Sequence, residues 1–258
     1  MRLAMSVGIG LVSAMTILVP AFAAVGSASG AKSAQAGLQR AADQCFGKEK
    51  VGWAEVILAC EVLLKAKVKP DVKAGAYFNR GSAYLRLGGG KNALADFNAA
   101  LKIQPTFARA LEARAGILTA QNKYDQALAD LNKAISLDPK SSVAFNNRGM
   151  VYLAKKNFPK AIADLTKAVD LAPSDPQSYA ARASAYIASG DAPKAFADLD
   201  KAIAMDSKLI VALFNRGTLF AANGEKDKAK KDFRSVLAID PGNKRATEQL
   251  TALEKAGG

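Results

Sequence analysis

The sequence predicts an all-α protein built from antiparallel helix pairs that stack side by side. Three observations predict this fold. Residues 74–243 repeat themselves every 34 residues, five times and without a gap. Each repeat carries two apolar stripes at helical spacing, at positions 4, 8 and 11 and at positions 20, 24 and 27, separated by turn residues such as GGGKN or SGD. One helix pair cannot bury both stripes alone, so neighbouring pairs must stack.

The five repeats follow one another directly. Their bounds are 74–107, 108–141, 142–175, 176–209 and 210–243, which together form a predicted repeat domain over 74–242. Position 8 is Gly or Ala and position 20 is Ala in every repeat, so the two helix backbones of a pair can approach closely. A proline closes four of the five repeats, as expected where a helix ends.

This pattern closely resembles the tetratricopeptide repeat, over about two thirds of the chain. The resemblance implies a right-handed superhelical solenoid with a concave groove that binds extended peptides or partner helices. Ahead of the array, residues 53–66 resemble the second helix of a divergent half-repeat, predicted over 43–73. Behind it, residues 243–258 predict a polar-faced capping helix and a tail, because such arrays need a soluble end.

The N-terminal residues predict export. Residues 1–23 combine one positive charge at Arg2, a long apolar run and the triplet Ala21-Phe22-Ala23, which together indicate a signal peptide cleaved near Ala23. An uncleaved inner-membrane anchor is the alternative, because the apolar run approaches the ~20 residues that span a bilayer. The mature protein would be periplasmic and would begin with a flexible lead-in over 24–42.

Export bears on the redox state of the two cysteines. In an oxidising compartment, Cys45 and Cys60 predict one disulfide, which would fasten the divergent first helix to the second. Two buried free thiols are the alternative.

Composition argues against an enzyme. The chain contains no histidine, which removes the most versatile acid–base group and the commonest metal ligand. Neither a dinucleotide-binding glycine motif nor a P-loop is present, and two cysteines cannot assemble a zinc site. We therefore predict no catalytic residues, no metal and no cofactor. The net charge of +13 favours anionic surfaces or partners.

An arginine at position 7 and an aspartate at position 23 recur in all five repeats. Each lies at the edge of its helix's apolar stripe, so the two are predicted to form a ladder of structural ion pairs inside the repeats. An arginine ladder that binds a polyanion is the alternative. The predicted pairs are Arg80 with Asp96, Arg114 with Asp130, Arg148 with Asp164, Arg182 with Asp198, and Arg216 with Asp232.

The concave face should be lined by positions 2, 5, 6, 9 and 12 of the first helices. The predicted partner-binding residues are Phe78, Asn79, Arg109, Glu112, Asn146, Asn147, Met150, Gln177, Phe214 and Asn215. Asparagine occupies position 6 in alternate repeats, and an amide can hold a peptide backbone without reading its sequence. Ordinary solvated surface asparagines are the alternative. Arg109 is the one basic residue among these positions, so the carboxylate clamp of chaperone-binding family members is not expected.

The second helices carry lysines on their outer face, predicted to be convex. These are Lys133, Lys167 and Lys201 at position 26, and Lys160, Lys194 and Lys228 at position 19. Such a stripe usually serves solvation, and contact with a membrane surface or another polyanion is the alternative. Nucleic acid is not expected, because no aromatic residues are interleaved with the lysines. The predicted function is a protein- or peptide-binding scaffold of the bacterial envelope.

Overall fold

The structure, a computed structural model, describes residues 28–255. Within that range it contains thirteen α-helices and no strand, which confirms the predicted all-α repeat fold. The helices are α1 Ala28–Cys45, α2 Trp53–Lys65, α3 Pro70–Arg86, α4 Gly90–Ile103, α5 Ala108–Ala120, α6 Tyr124–Leu137, α7 Ser142–Ala154, α8 Phe158–Leu171, α9 Pro176–Ser189, α10 Ala192–Met205, α11 Ile210–Ala222, α12 Lys226–Ile239 and α13 Lys244–Lys255.

The described residues divide into two compact units, one that ends at Pro139 and one that begins at Lys140. In the first unit α1 packs on α2, α3 on α4, and α5 on α6. In the second unit α7 packs on α8, α9 on α10, and α11 on α12, and α13 then packs on α12. Each 34-residue repeat is therefore one pair of helices, and the alanine at position 20 is fully buried in all five pairs.

The ends of the helices follow from local chemistry. The side chains of Ser141, Asn157, Asp175 and Asp191 accept hydrogen bonds from backbone amides in the first turns of α7, α8, α9 and α10. Position 15 of every repeat adopts the left-handed conformation that ends a first helix and turns the chain into the second. The five residues are Gly88, Asn122, Lys156, Gly190 and Gly224, with φ between 57° and 84°.

Position 8 is where the paired backbones come closest. A Cβ atom placed on Gly149 would lie 2.7 Å from Leu165 Cγ and 3.2 Å from the carbonyl oxygen of Ala161. The same contact recurs at Gly81 and Gly217, each against the phenylalanine at position 24. The glycines of alternate repeats therefore leave room for a large position-24 side chain between the helices.

The N-terminal part differs from the prediction. Residues 28–42, predicted as a flexible lead-in, form most of α1. The physical reason is that Ala42 and Phe46 bury their side chains against α2, with Leu38 partly buried beside them. The divergent first helix thus begins well before the predicted bound at residue 43, although small residues dominate its sequence.

The predicted disulfide is confirmed. Cys45 at the end of α1 is bonded to Cys60 in α2, with 4.9 Å between their Cα atoms and both residues fully buried. The bond fastens the weakly apolar α1 to the rest of the first unit.

Two predictions concern membranes and export. None of the helices between residues 28 and 255 has the length and apolar character needed to span a bilayer. The predicted signal peptide, 1–23, and the alternative membrane anchor lie outside the described residues.

Candidate partner-binding groove

The arginine at position 7 meets the aspartate at position 23 of its own repeat in all five repeats. The guanidinium donates from Nε and Nη2 to the two carboxylate oxygens, with every distance between 2.7 and 2.8 Å. The arginine side chains are 16–25% exposed and the aspartates 4–11%. This bidentate geometry fixes the angle between the two helices of a repeat.

The arginine also contacts the preceding repeat, a contact that was not predicted from the sequence. Arg114 Nη1 donates to Asn98 Oδ1 and Arg216 Nη1 to Asp200 Oδ1, each over 2.8 Å. Both acceptors occupy position 25 of the repeat before. Position 25 carries different residue types from repeat to repeat, so periodicity could not reveal this contact. Within each unit, these two arginines therefore join neighbouring second helices as well as the two helices of their own pair.

Aromatic rings enclose the same guanidinium groups. Arg80 lies 5.6 Å from the ring centre of Tyr77 and 5.9 Å from that of Tyr84, and Arg182 has the same arrangement with Tyr179 and Tyr186. The hydrogen bonds to the paired aspartates raise the pKa of Arg80 and of Arg182, against the opposing effect of burial. These arginines are structural groups that stay charged.

The predicted groove residues of the first unit are largely buried. Phe78 is 1% exposed and lies 5.8 Å from the Phe97 ring centre and 5.0 Å from that of Phe107. The guanidinium of Arg109 covers its ring at 5.2 Å, and burial lowers the pKa of Arg109. Glu112 is buried as well. The prediction that Phe78 is an exposed apolar anchor is therefore wrong, because its ring fills the space between α3 and α4.

Asn79 has a structural role. Its side chain is fully buried, and Nδ2 donates a 3.1 Å hydrogen bond to the carbonyl oxygen of Cys45 at the end of α1. The prediction that this amide points into an open groove is wrong. Position 6 of this repeat faces the end of α1, so the amide satisfies a backbone carbonyl that α1 leaves without an intrahelical partner.

In the second unit, α7 offers little accessible surface at the predicted positions. Asn146, Asn147 and Met150 are all buried, Asn147 to 1% exposure. The amide of Asn147 has no hydrogen-bond partner among the protein atoms of residues 28–255. The predicted amide ladder of Asn79, Asn147 and Asn215 is therefore not an open surface.

The accessible part of the predicted groove lies on α9 and α11. Gln177 and Thr218 are exposed, Val211 is 38% exposed, and Ser184 and Phe214 are half-buried. We call these five residues the α9–α11 face. They occupy positions 2, 5 and 9 of two successive first helices, which contact each other.

Two further residues support this face. Asn215 Nδ2 donates to Ser184 Oγ over 3.1 Å and so joins α11 to α9. Arg245, at the start of α13, stacks on Phe214 with 4.4 Å between its guanidinium carbon and the ring centre. Phe214 also lies 5.5 Å from Phe233. Arg245 was not among the predicted groove residues, although it follows Phe214 by 31 residues, as Arg109 follows Phe78.

The two asparagines with observed bonds should differ in their effect on stability. Asn79→Ala is expected to lower the free energy of unfolding by about 1–2 kcal/mol, because a fully buried hydrogen bond is lost. Asn215→Ala, at a half-buried site, is expected to cost less than about 1 kcal/mol. Urea unfolding followed by circular dichroism would compare them. Equal small losses would show that Asn79 is not structural.

The lysines of the second helices are divided between two environments. Lys160, Lys194 and Lys228 lie 5.2–5.5 Å from the ring at position 11 of their own repeats. Lys194 is also paired with Asp191, and Lys228 with Glu225. The position-26 lysines are exposed. Part of the predicted stripe is thus engaged inside its own repeat.

No group of three or more acidic or cysteine side chains that could hold a metal ion occurs in residues 28–255.

Comparison with known proteins supports the repeat assignment. The family model described as tetratricopeptide repeat matches residues 78–142, 113–176, 146–210 and 180–244. No curated protein matches the chain.

Solved structures show the same fold. Pseudomonas aeruginosa PilF is 18% identical, with a TM-score of 0.64, and the alignment covers 87% of this chain and 98% of PilF. A thermophilic TPR protein from Thermus thermophilus is 19% identical, with a TM-score of 0.63 and coverage of 70% and 98%. YrrB, described as a TPR protein with an unusual peptide-binding site, is 20% identical, with a TM-score of 0.52 and coverage of 74% and 96%.

These identities support a shared fold and nothing finer. The family model, in contrast, spans most of the chain, from residue 78 to residue 244. The protein therefore belongs to the tetratricopeptide repeat family, whose members generally bind protein or peptide partners.

Proposed function

We propose that this protein is a non-enzymatic binding module of the bacterial envelope that holds a protein or peptide segment on the α9–α11 face. The observation that carries the proposal is the contrast in exposure along the predicted groove. Phe78 and Asn147 are buried, whereas Gln177, Val211 and Thr218 remain accessible on neighbouring first helices.

The α9–α11 face has the chemistry that an extended segment needs. The amide of Gln177 offers both a donor and an acceptor to a peptide backbone. Val211 and Phe214 lie next to the polar groups on α11 and provide apolar surface for alternate side chains. Arg245 limits how far the Phe214 ring can move, so the apolar surface is held in place before a partner arrives.

Two further observations support a peptide partner and export. YrrB, a structural neighbour, is described as having a peptide-binding site, which favours this class of ligand over a small molecule. The Cys45–Cys60 disulfide favours an oxidising compartment, as a periplasmic location would provide. The alternative, a membrane-surface or polyanion contact through the lysines, has less support because Lys194 and Lys228 are already paired with acidic residues.

A matched pair of tryptophan substitutions tests the groove. Peptides selected on the wild-type protein from a random display library would be titrated against Thr218→Trp and Lys201→Trp. We expect Thr218→Trp to weaken binding at least about tenfold, because its bulk covers the α9–α11 face, and Lys201→Trp to change it less than about twofold. Both sites are exposed, so both variants should keep the wild-type melting temperature.

If Lys201→Trp weakened binding more than Thr218→Trp did, the binding surface would lie on the second helices. Failure to select any peptide of reproducible sequence would contradict the proposed peptide-binding function. A binding affinity that falls steeply with salt would favour the lysine alternative, because exposed charge pairs are screened.

A further inference from the structure

The first unit contains a cavity of about 460 Å³ that shares no residue with the α9–α11 face. Residues of α4, α5 and α6 and the loop after α4 line it. Leu101, Leu111 and Pro105 provide its apolar part. Lys102, Arg114 and Lys133 provide its cationic part, and both lysines are exposed.

The charge of this cavity is strongly positive. Its lining contains three cationic side chains and one carboxylate, that of Asp130. Both oxygens of Asp130 accept hydrogen bonds from Arg114 over 2.7 Å, so this carboxylate is already committed to the ladder. Lys102 and Lys133 then have no acidic counterpart in the cavity lining. The site favours an anion from outside.

The last two repeats show what kind of anion fits. There the equivalent arginine, Arg216, donates from Nη1 to the carboxylate of Asp200 over 2.8 Å. In the first unit the same position is the neutral Asn98, which accepts from Arg114 Nη1. The positions of Lys102 and Lys133 are Ala204 and Ser235 in the last two repeats. The arginine of the last repeat thus has a carboxylate from its own chain at this position, and the cavity of the first unit has an amide and two lysines instead.

We infer that this cavity binds a carboxylate side chain from an acidic segment of a partner protein. The carboxylate lies against Lys102 and Lys133, beside the Arg114–Asn98 bond. The exposed Pro105, which lies beside the buried Leu101 and Leu111 in the lining, accepts a neighbouring aliphatic side chain of the same segment. A free phosphate would leave that apolar surface uncovered, so the cavity favours an acidic peptide. This contact is independent of the α9–α11 face.

A single substitution should place a carboxylate of the protein itself in the site and so compete with the partner's carboxylate. Asn98→Asp places a carboxylate where Asp200 lies in the last repeats, without removing any basic residue. The matched control is Thr166→Asp, which makes the same change of charge at position 25 of the repeat 142–175. Lys102→Ala/Lys133→Ala removes the attracting charges directly. All these positions lie on the second helices, and the two lysines are exposed, so folding should persist.

The probe is the peptide Leu-Glu-Leu-Glu-Leu, acetylated and amidated so that its only charges are the glutamates. Its glutamine counterpart is the uncharged control. We expect saturable calorimetric binding of the glutamate peptide to the wild-type protein, weakened about tenfold or more by Asn98→Asp and by the lysine pair. Thr166→Asp should change the affinity less than about twofold. In NMR spectra, the Arg114 Nε resonance should shift on addition of the glutamate peptide to the wild type and to Thr166→Asp, and not in the variants that lose binding.

Several outcomes would overturn the inference. One is equal binding of the glutamate and glutamine peptides, and another is equal loss in Asn98→Asp and Thr166→Asp. Absence of glutamate-peptide binding, or tighter binding of inorganic phosphate at the same Arg114 resonance, would exclude the acidic peptide as ligand. None of these results depends on whether peptides bind the α9–α11 face, because that face belongs to the other unit.

Discussion

Asp232→Asn is expected to lower the free energy of unfolding by about 3 kcal/mol, whereas Asp200→Asn is expected to cost less than about 1 kcal/mol. Both carboxylates accept hydrogen bonds from Arg216 over 2.8 Å. They differ in burial, since the Asp232 side chain is 4% exposed and that of Asp200 is 62% exposed. The two substitutions each remove one negative charge next to Arg216, so the difference between their effects measures the contribution of burial.

The difference arises from what remains after each substitution. Without the Asp232 carboxylate, Arg216 loses a bidentate partner while its guanidinium stays mostly out of water, at 22% exposure. Without the Asp200 carboxylate, Arg216 keeps both bonds to Asp232, and water can replace the exposed partner. A mostly buried guanidinium that keeps only an exposed counter-ion, Asp200, carries the larger penalty.

Denaturant unfolding, with hydrogen exchange resolved for α11 and α12, would measure both losses. Asn is close in size to Asp, so neither substitution leaves a cavity that would add to the loss of unfolding free energy. Equal effects of the two substitutions would mean that the ladder contributes no more than surface ion pairs do. Our interpretation of the repeated arginine as structural would then be wrong.

The repeat fold was predictable because its signals are redundant. The alanine at position 20, the small residue at position 8 and the Arg–Asp spacing recur in five copies, so one aberrant residue could not hide the period. The contact between Arg148 and Asp164 followed from helical geometry alone, because both lie at the edges of stripes that must face each other.

The groove was less predictable. At 100° per residue, position 6 lies at the border between the concave face and the contact with the preceding first helix. The angle between neighbouring helices decides which side it faces, and a single sequence does not give that angle. The extent of α1 was predicted wrongly for a different reason, because residues 28–42 were assigned to a flexible lead-in. Its stability comes from docking and from the disulfide rather than from an apolar stripe, so its composition is typical of a flexible segment.

Cys45→Ala/Cys60→Ala is expected to lower the free energy of unfolding of the first unit by about 3 kcal/mol, from the entropy of the 16-residue loop that the disulfide closes. The loss should concentrate in α1, because few other contacts hold that helix. Ala42 and Phe46 pack against α2, and Asn79 bonds to the carbonyl oxygen of Cys45.

Hydrogen exchange would locate the effect. We expect the amides of α1 to lose most of their protection in the double variant, while those of α9–α12 keep theirs. Wild-type protein that has been reduced should behave like the variant, and oxidised wild-type protein should not. Unchanged protection of α1 in the variant would show that packing alone secures the helix.

The disulfide and Asn79 should also be coupled, because Asn79 needs the end of α1 in place. In the background lacking the disulfide, Asn79→Ala is expected to cost at least about 0.5 kcal/mol less than in the wild type. A double-mutant cycle on unfolding free energies measures this term. Additive losses would mean that α1 stays docked without its covalent link, and the Cys45–Cys60 bond would then act only on the unfolded chain.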